Sequence, residues 1–546
     1  MGKLGGTNLG GTTVKPGVRK AVLSIGALAV VGIVAAAVFV LRGGSSESPA
    51  AENAASSQED PAGTVSRFLD ALSAKNLDAA AALTDDPAAA KAAFDDVTRG
   101  LVVTKLAAKF GDAGPTEGDR SPARYTMTWT LGANRVWTYP AALDLVRSGS
   151  RWAVHWSPHV LHPKLEAGQH LVLRTGGAGD AVLDRDGKPL LSWGPVGPRP
   201  VEPAIALELM PALIRYAAGQ AGNGWAVART DGAGKTIDTL FGKEVDRKPL
   251  ISTLSTGLQK AAEAAVDTTA QSAVLVALQP STGDILAVAR NNGQQHLNPF
   301  TGLYAPGSTF KIATATAALE SGTATADTVL ECPGTIQLGQ RTIPNDNKFV
   351  LPPVPLHSAF AHSCNTTFAQ LASQLPPDAL KKAADQYGLN ADFDVPGLQT
   401  EAGKVEATGS AAEQVEAGIG QGKVLVSPFG GALMAATVAA GKAVTPKLWH
   451  GVDTKVGAGY GPPPAPVLAS VRAMMREVVT AGTATGAKGA GTVFGKTGTA
   501  QLPDPSKANG WFVGYRGDLA FAVMLAASNS SAPAVTLATK FLNAAP

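Results

Sequence analysis

The sequence predicts a multidomain chain in four folded parts: an N-terminal transmembrane helix, a small α+β domain, an extended β-rich pedestal and a larger C-terminal α+β domain. Three observations predict it. Residues 21–41 are an uncharged apolar run; apolar residues change from helical to alternating spacing and back along the chain; and the segment from 250 to 546 begins and ends in strand pairs around largely helical sequence. A chain of 546 residues has room for several domains, and 45% hydrophobic against 16% charged residues argues for a folded chain despite its 61 glycines.

The run "AVLSIGALAVVGIVAAAVFVL", residues 21–41, is about 31 Å long as a helix, one hydrocarbon thickness. Its basic residues lie mainly on the N-terminal side, which places the tail 1–20 in the cytoplasm and the rest outside. The net charge of +3 is misleading. Lys3, Lys15, Arg19, Lys20 and Arg42 fall in the first 42 residues, which hold no acid, so residues 43–546 carry 41 basic against 43 acidic residues. Nothing in that balance marks a nucleic-acid binder. Residues 42–63, rich in Ser, Ala, Glu and Pro without periodicity, read as a flexible linker.

From 64 to 110 the apolar spacing is helical, as in "VSRFLDALSAKNLDAAAAL", whereas "RYTMTWTLG", "RVWTYPAALDLV" and "RWAVHWSP" alternate as strands do. Residues 64–159 form the small α+β domain. Residues 160–249 hold short strands broken by turns, with Asp186-Gly187 in "DAVLDRDGKPLLSW" as a hairpin signal and "PAIALELMPALIRYAAGQ" as a helix ending near Gly219. This segment reads as a pedestal. In 250–546, "STLSTGLQKAAEAAV" is helical, "SAVLVALQPSTGDILAVAR" is a strand pair, and "NGWFVGYRGDLAFAVMLAAS" is a hairpin turning at Arg516-Gly517-Asp518. One sheet completed by both ends of the segment follows.

Three stretches carry chemistry. In "APGSTFKIATATAALE", Pro306-Gly307 makes a turn, Ser308 stands where a helix can begin, and Lys311 lies one turn further on the same face. Capping by Ser308 is the plain account, and Ser-x-x-Lys recurs by chance in a chain of this size. Catalysis makes a stricter demand. A serine hydroxyl needs a base, and a lysine acts as one only when neutral, which burial and a second nearby cation both favour. "GTVFGKTGTAQ" offers that cation in Lys496, a fixed positive charge, with Thr497 and Thr499 as hydroxyl ligands for a carboxylate and Gly498 for close approach. "AHSCNTTFAQLA" adds Ser363 and Asn365, for which a helix cap is again the plain account. Cys332 and Cys364 are the only cysteines, and two thiols do not by themselves decide whether they pair or simply pack.

Taken together, Ser308-x-x-Lys311, Ser363-x-Asn365 and Lys496-Thr497-Gly498 stand in the order found in the penicillin-recognising serine enzymes. With "YAPGSTFKIATATAALESG", "GIGQGKVLVSPFGGALMAATVAAGK" and "FGKTGTAQ…NGWFVGY", the chain resembles the class B penicillin-binding proteins, the peptidoglycan D,D-transpeptidases, and "RWAVHWSPHVLHPKL" resembles the end of the nuclear-transport-factor-like domain of the methicillin-resistance type. The resemblance implies a serine β-lactamase/transpeptidase-like fold for 250–546. It implies that Ser308 attacks the penultimate D-Ala carbonyl of a stem peptide ending in D-Ala-D-Ala, Lys311 takes its proton, Ser363 relays a proton to the leaving D-Ala, and Asn365 holds the substrate amide and Lys311. Lys496, Thr497 and Thr499 then bind the terminal carboxylate, Gly498 lies alongside, and the backbone N–H groups of Ser308 and Thr499 hold the oxyanion. An acceptor amine resolves the acyl-enzyme; β-lactams acylate it; no metal or cofactor is implied.

The same resemblance implies a single-pass membrane protein, extracytoplasmic apart from its tail, working with a membrane glycan polymerase of the SEDS type. A β-lactamase or D,D-carboxypeptidase, in which water resolves the acyl-enzyme, is the enzymatic alternative; a non-catalytic β-lactam sensor or scaffold is the other. "RTDGAGKT" at 229–236 lacks the first glycine of a phosphate loop, and His155, His159 and His162 are interrupted by Pro158 as a metal set.

Overall fold

A computed structural model describes residues 60–546 except 177–178, 223, 244–246, 292, 294 and 505. The expected tail, the expected span at 21–41 and the linker up to residue 59 lie outside the described residues. Asp60 already belongs to structure: its carboxylate accepts from Ala62 N at 3.2 Å and caps the helix Pro61–Ser73. The expected linker is therefore too long at its C-terminal end, because Asp60-Pro61 is a cap followed by proline at the first helical position.

Two more helices follow, Leu77–Ala81 capped by Asn76 and Pro87–Gly100 capped by Asp86. Gly100 ends the last one where a Cβ would stand 2.3 Å from Leu171 O, so only glycine permits that approach. The helical reading to residue 110 is corrected here. Val103–Ala113 is a strand, since Leu106 and Ala108 bury on alternate positions once Gly100 has closed the helix. It opens a four-stranded antiparallel sheet in chain order with Arg120–Leu131, Arg135–Ser148 and Arg151–Val154. Ala123, Tyr125, Met127, Trp129 and Leu131 point one way from the second strand and join Val65, Phe68 and Phe94 in one core. Tyr125 and Tyr139 donate their hydroxyls to Val160 O and Leu161 O, which ties the exit of this unit to its sheet.

Among the described residues, the segment from 160 to 249 has no core of its own. Leu171, Leu173 and Val227 join the N-terminal core, whereas Val182, Leu191 and Trp193 join the C-terminal one. The expected hairpin forms between Asp180–Leu183 and Pro189–Gly194, with Gly187 at φ +84° and the Asp184 carboxylate accepting from Asp186 N and Lys188 N. The expected helix is shorter than its apolar run: it spans Met210–Gly219.

The C-terminal sheet has five antiparallel strands in the order Ile285–Arg290, Ala273–Leu278, Leu519–Leu525, Ala508–Arg516, Val493–Gln501. Strands from both ends of the segment are neighbours, with Val276 opposite Ala522. Ala273–Leu278 is wholly inaccessible, as expected of a strand covered on both faces. The helix Pro428–Ala440 lies on the sheet with Gly431 against Ala522 and Val513. Helices Thr256–Val266 and Ala532–Ala544 also pack on it; the latter had no counterpart in the sequence reading. Val493–Gln501 is an edge strand, and the candidate site forms along it.

Cys332 and Cys364, 32 apart in sequence, form a disulfide. It joins the strand Val329–Cys332 to the residue before the helix Asn365–Ser373. Closing a loop of this length restricts the unfolded chain by about 3–4 kcal/mol at 25 °C. A Cys332→Ser, Cys364→Ser double variant is expected to unfold at lower denaturant by that amount, and the wild type in strong reductant should match it. Coincident curves for the oxidised wild type and the variant would refute this.

Candidate active site

The first wall is the turn before Lys311. Pro306 and Gly307 lead into a 3-10 turn, Gly307–Phe310, and the α-helix Lys311–Glu320 begins only after it. Ser308 therefore caps nothing, which corrects the plain reading of this motif. Gly307 has φ +52°, and a Cβ on it would lie 2.5 Å from Thr499 O. Its N–H donates to Gly420 O at 3.0 Å, and a Cβ on Gly420 would lie 2.0 Å from Gly307 O. A Cβ on Gly498 would lie 2.6 Å from Pro306 O. Three backbone segments, far apart in sequence, thus touch at glycines, and Ser308 is held 9% exposed beside the edge strand.

Ser363 lies between the helices Leu356–Ala361 and Asn365–Ser373 at φ +61°, a strained conformation for a residue with a Cβ. Its side chain caps neither helix; Cys364 occupies the N-cap position without a side-chain bond. The strain turns Ser363 toward the lysines. Lys311 Nζ donates to Ser363 O at 2.8 Å and to Asn365 Oδ1 at 2.6 Å, with Ser363 Oγ at 3.4 Å. Lys496 Nζ donates to the same Ser363 Oγ at 2.9 Å and to Thr497 O at 3.1 Å. One hydroxyl thus lies between two lysines 185 positions apart in the chain. Ser308 Oγ has no hydrogen-bond partner among the described residues, so it is free to meet a ligand.

Both lysines are wholly buried, and no carboxylate pairs with either among the described residues. Burial pushes Lys311 well below its ordinary value, and the charge of Lys496 pushes it further. Burial lowers Lys496 to about 7. The expectation that Lys496 is a fixed cation is therefore corrected: without an anion beside it, a buried ammonium is only partly charged at neutral pH. Each Nζ lies 5.4 Å from an aromatic centroid, Lys311 from Phe368 and Lys496 from Phe360, which offsets a part of that desolvation.

Residues outside the motifs complete the site. Thr483 Oγ1 hydrogen-bonds Thr497 Oγ1 at 2.6 Å, and Thr483 N donates to Ala361 O at 3.1 Å. Buried Asn345 donates to Pro333 O and Phe349 O, each at 2.9 Å, and accepts from Thr366 N at 3.1 Å. Asn365 Nδ2 donates to Pro344 O at 3.0 Å. The catalytic-type amide is thereby fixed from both ends. No sequence signal marks Thr483; Asn345 stands in "IPNDNKF", which reads only as a turn.

Ser308, Ser363, Asn365, Thr497, Gly498 and Thr499 line one cleft of about 1010 Å³, with Lys311 and Lys496 buried behind it. Arg341, Asp346, Lys348, His362 and Glu416 also face the cleft, and Arg341 forms an ion pair with Glu416. Such a site can hold an anion at Thr497–Thr499 and activate a hydroxyl through a neutral amine. His155, by contrast, bonds Asp85, and His162 stacks on Trp137 and meets Tyr139 edge-on.

Two known protein families match successive parts of the chain. The penicillin-binding protein transpeptidase domain matches residues 273–544, and the NTF2-like N-terminal transpeptidase domain matches residues 60–169. Peptidoglycan D,D-transpeptidase PbpA of Mycobacterium tuberculosis is 33% identical over 199 residues, covering 31% of this chain and 40% of that protein. Penicillin-binding protein 3 of Bacillus subtilis is 28% identical over 304 residues, covering 46% of this chain and 44% of that protein. The matched region thus spans less than half the length of these curated relatives. Among solved structures, penicillin-binding protein A from M. tuberculosis in a ceftriaxone acyl-enzyme complex is 21% identical, with a TM-score of 0.55 over 68% of this chain and 98% of that one. Pseudomonas aeruginosa PBP2 in complex with WCK 5153 is 23% identical, with the same score over 68% and 96%. With both domains matched in order and the fold shared, the chain belongs to the penicillin-binding protein transpeptidase family, its transpeptidase domain preceded by an NTF2-like one.

Proposed function

We propose that the chain is a serine D,D-transpeptidase that cross-links peptidoglycan stem peptides through an acyl-Ser308 intermediate and is acylated by β-lactams. The observation that carries this reading is Ser363 Oγ between two carboxylate-free, buried lysines in the cleft that Ser308 enters. Lys311, its basicity lowered by burial and by the charge of Lys496, takes the Ser308 proton as Oγ attacks the penultimate D-Ala carbonyl. The backbone N–H groups of Ser308 and Thr499 receive the oxyanion, a donor pair worth about 3–4 kcal/mol per member in comparable sites. Ser363 passes the proton to the departing D-Ala, and Asn365 holds Lys311 and the substrate amide. Thr497 and Thr499 take the terminal carboxylate together with Lys496, and the arriving anion favours the charged form of Lys496.

A hydrolase needs a base for water. Among the carboxylates facing the cleft, Arg341 engages Glu416, which withdraws it from that role. The sequence run 21–41 supports a single membrane anchor with the catalytic domain extracytoplasmic, and a SEDS-type polymerase supplies the glycan. Mass spectrometry of the acyl-enzyme formed from a defined stem peptide, with and without an acceptor amine, tests the reading. A D-Ala-shortened adduct on Ser308 that passes to the amine is expected; absence of any adduct would sink it. For Lys496→Ala, acylation is expected to slow, and the acid limb of its pH profile to move to higher pH. Removing a cation beside Lys311 eases its protonation, so its base form needs a higher pH. An unshifted limb would refute that coupling.

A further inference from the structure

Aminolysis has a proton that the residues named so far do not accept. An acceptor amine reaches the site from neutral solution as an ammonium and attacks only after losing one proton. Lys311 has a single lone pair. It receives the proton that the nitrogen sheds once the N–C bond has formed, and returns it to Ser308 Oγ as the ester C–O bond breaks. The first proton needs a different base.

His362 stands directly before Ser363 and lines the same cleft as Ser308. Its Nδ1 lies 3.0 Å from Ser358 O. A carbonyl oxygen only accepts, so Nδ1 carries the hydrogen, and in the neutral ring Nε2 carries the lone pair. Nε2 has no partner among the described residues and is not among the buried unpartnered atoms, so it is open to solvent. His155, His170 and His357 each meet a carboxylate, at Asp85, Asp96 and Glu477. His362 meets only a backbone carbonyl. It is the one imidazole among the described residues lining the cleft.

We propose that His362 is the acceptor-side base: its Nε2 hydrogen-bonds the incoming ammonium and removes the first proton. The neutral amine then attacks the acyl carbonyl, and the imidazolium releases its proton to solvent. The net change is one amide formed, one ester broken, Ser308 restored and one proton released. This rests on the transpeptidase reading above.

The test compares the full-length wild type with His362→Ala and His362→Gln. Glutamine can accept a hydrogen bond but does not take up a proton. Acylation by a fluorescent penicillin is measured first, and all three proteins are expected to agree within about twofold, since acylation involves no acceptor. A stem-peptide analogue ending in D-lactate is then offered with D-phenylalanine, and amide and acid products are quantified by mass spectrometry. Both variants are expected to lose amide relative to acid by about 100-fold. An unchanged ratio in His362→Ala overturns the proposal, as does full retention in His362→Gln or an equal fall in penicillin acylation. A wild type that labels with penicillin but yields only acid overturns the transpeptidase reading itself.

Discussion

A Ser308→Ala variant is expected to take no covalent label from a fluorescent penicillin, while its melting temperature stays close to that of the wild type. The label requires an ester to Oγ, and two other hydroxyls of the cleft are already engaged. Ser363 Oγ already bonds Lys496, and Thr497 Oγ1 bonds Thr483. Ser308 caps no helix and donates no side-chain hydrogen bond among the described residues, so its removal breaks little. Gel fluorescence after labelling, with a thermal melt as control, decides the matter. Residual label at the wild-type level would place the nucleophile elsewhere.

Lys311→Met should slow penicillin acylation by about 10²- to 10⁴-fold, the range for loss of a positioned base. Methionine keeps most of the volume and removes both the base and the donor to Asn365 Oδ1 and Ser363 O. In the wild type the rate should rise with pH and level off well below 10.5, because burial and Lys496 lower the Lys311 value. Stability carries a matching signature. Between the lowered folded value and the ordinary value of 10.5, the unfolded chain holds a proton that the folded chain lacks, so stability rises with pH across that window. Lys496 adds the same sign from about 7 upward. Lys311→Met should flatten part of this rise. Denaturant melts from pH 7 to 10 measure it, and a slope equal to that of the wild type would show that Lys311 is an ordinary charged lysine.

Local pattern carried much of the fold. The strand pair at 273–290 and the hairpin turning at Gly517 follow from alternation and turn residues, and lie where their periods predict. The errors arose where two local signals overlapped. Helical spacing continues past Gly100 into a strand whose alternate residues bury, and the apolar run ending at Gly219 spans turns before its helix starts at Met210. Ser308 and Ser363 look like caps because a serine before a helix usually is one. Both are displaced from that role by glycine contacts and a left-handed turn that only distant segments impose.

From the sequence by itself came the chemical inventory: two serine hydroxyls, two amines, an amide and a Lys-Thr-Gly-Thr stretch, in an order that resembles the family's. The tertiary structure decided how they act. It placed one hydroxyl between both lysines, left those amines without an acid, joined Cys332 to Cys364, and brought in Thr483, Asn345 and His362. The physical reason is that residue type and spacing specify what a group can do. Its protonation, partners and reach depend on burial and on neighbours that strand register and helix packing bring from far along the chain.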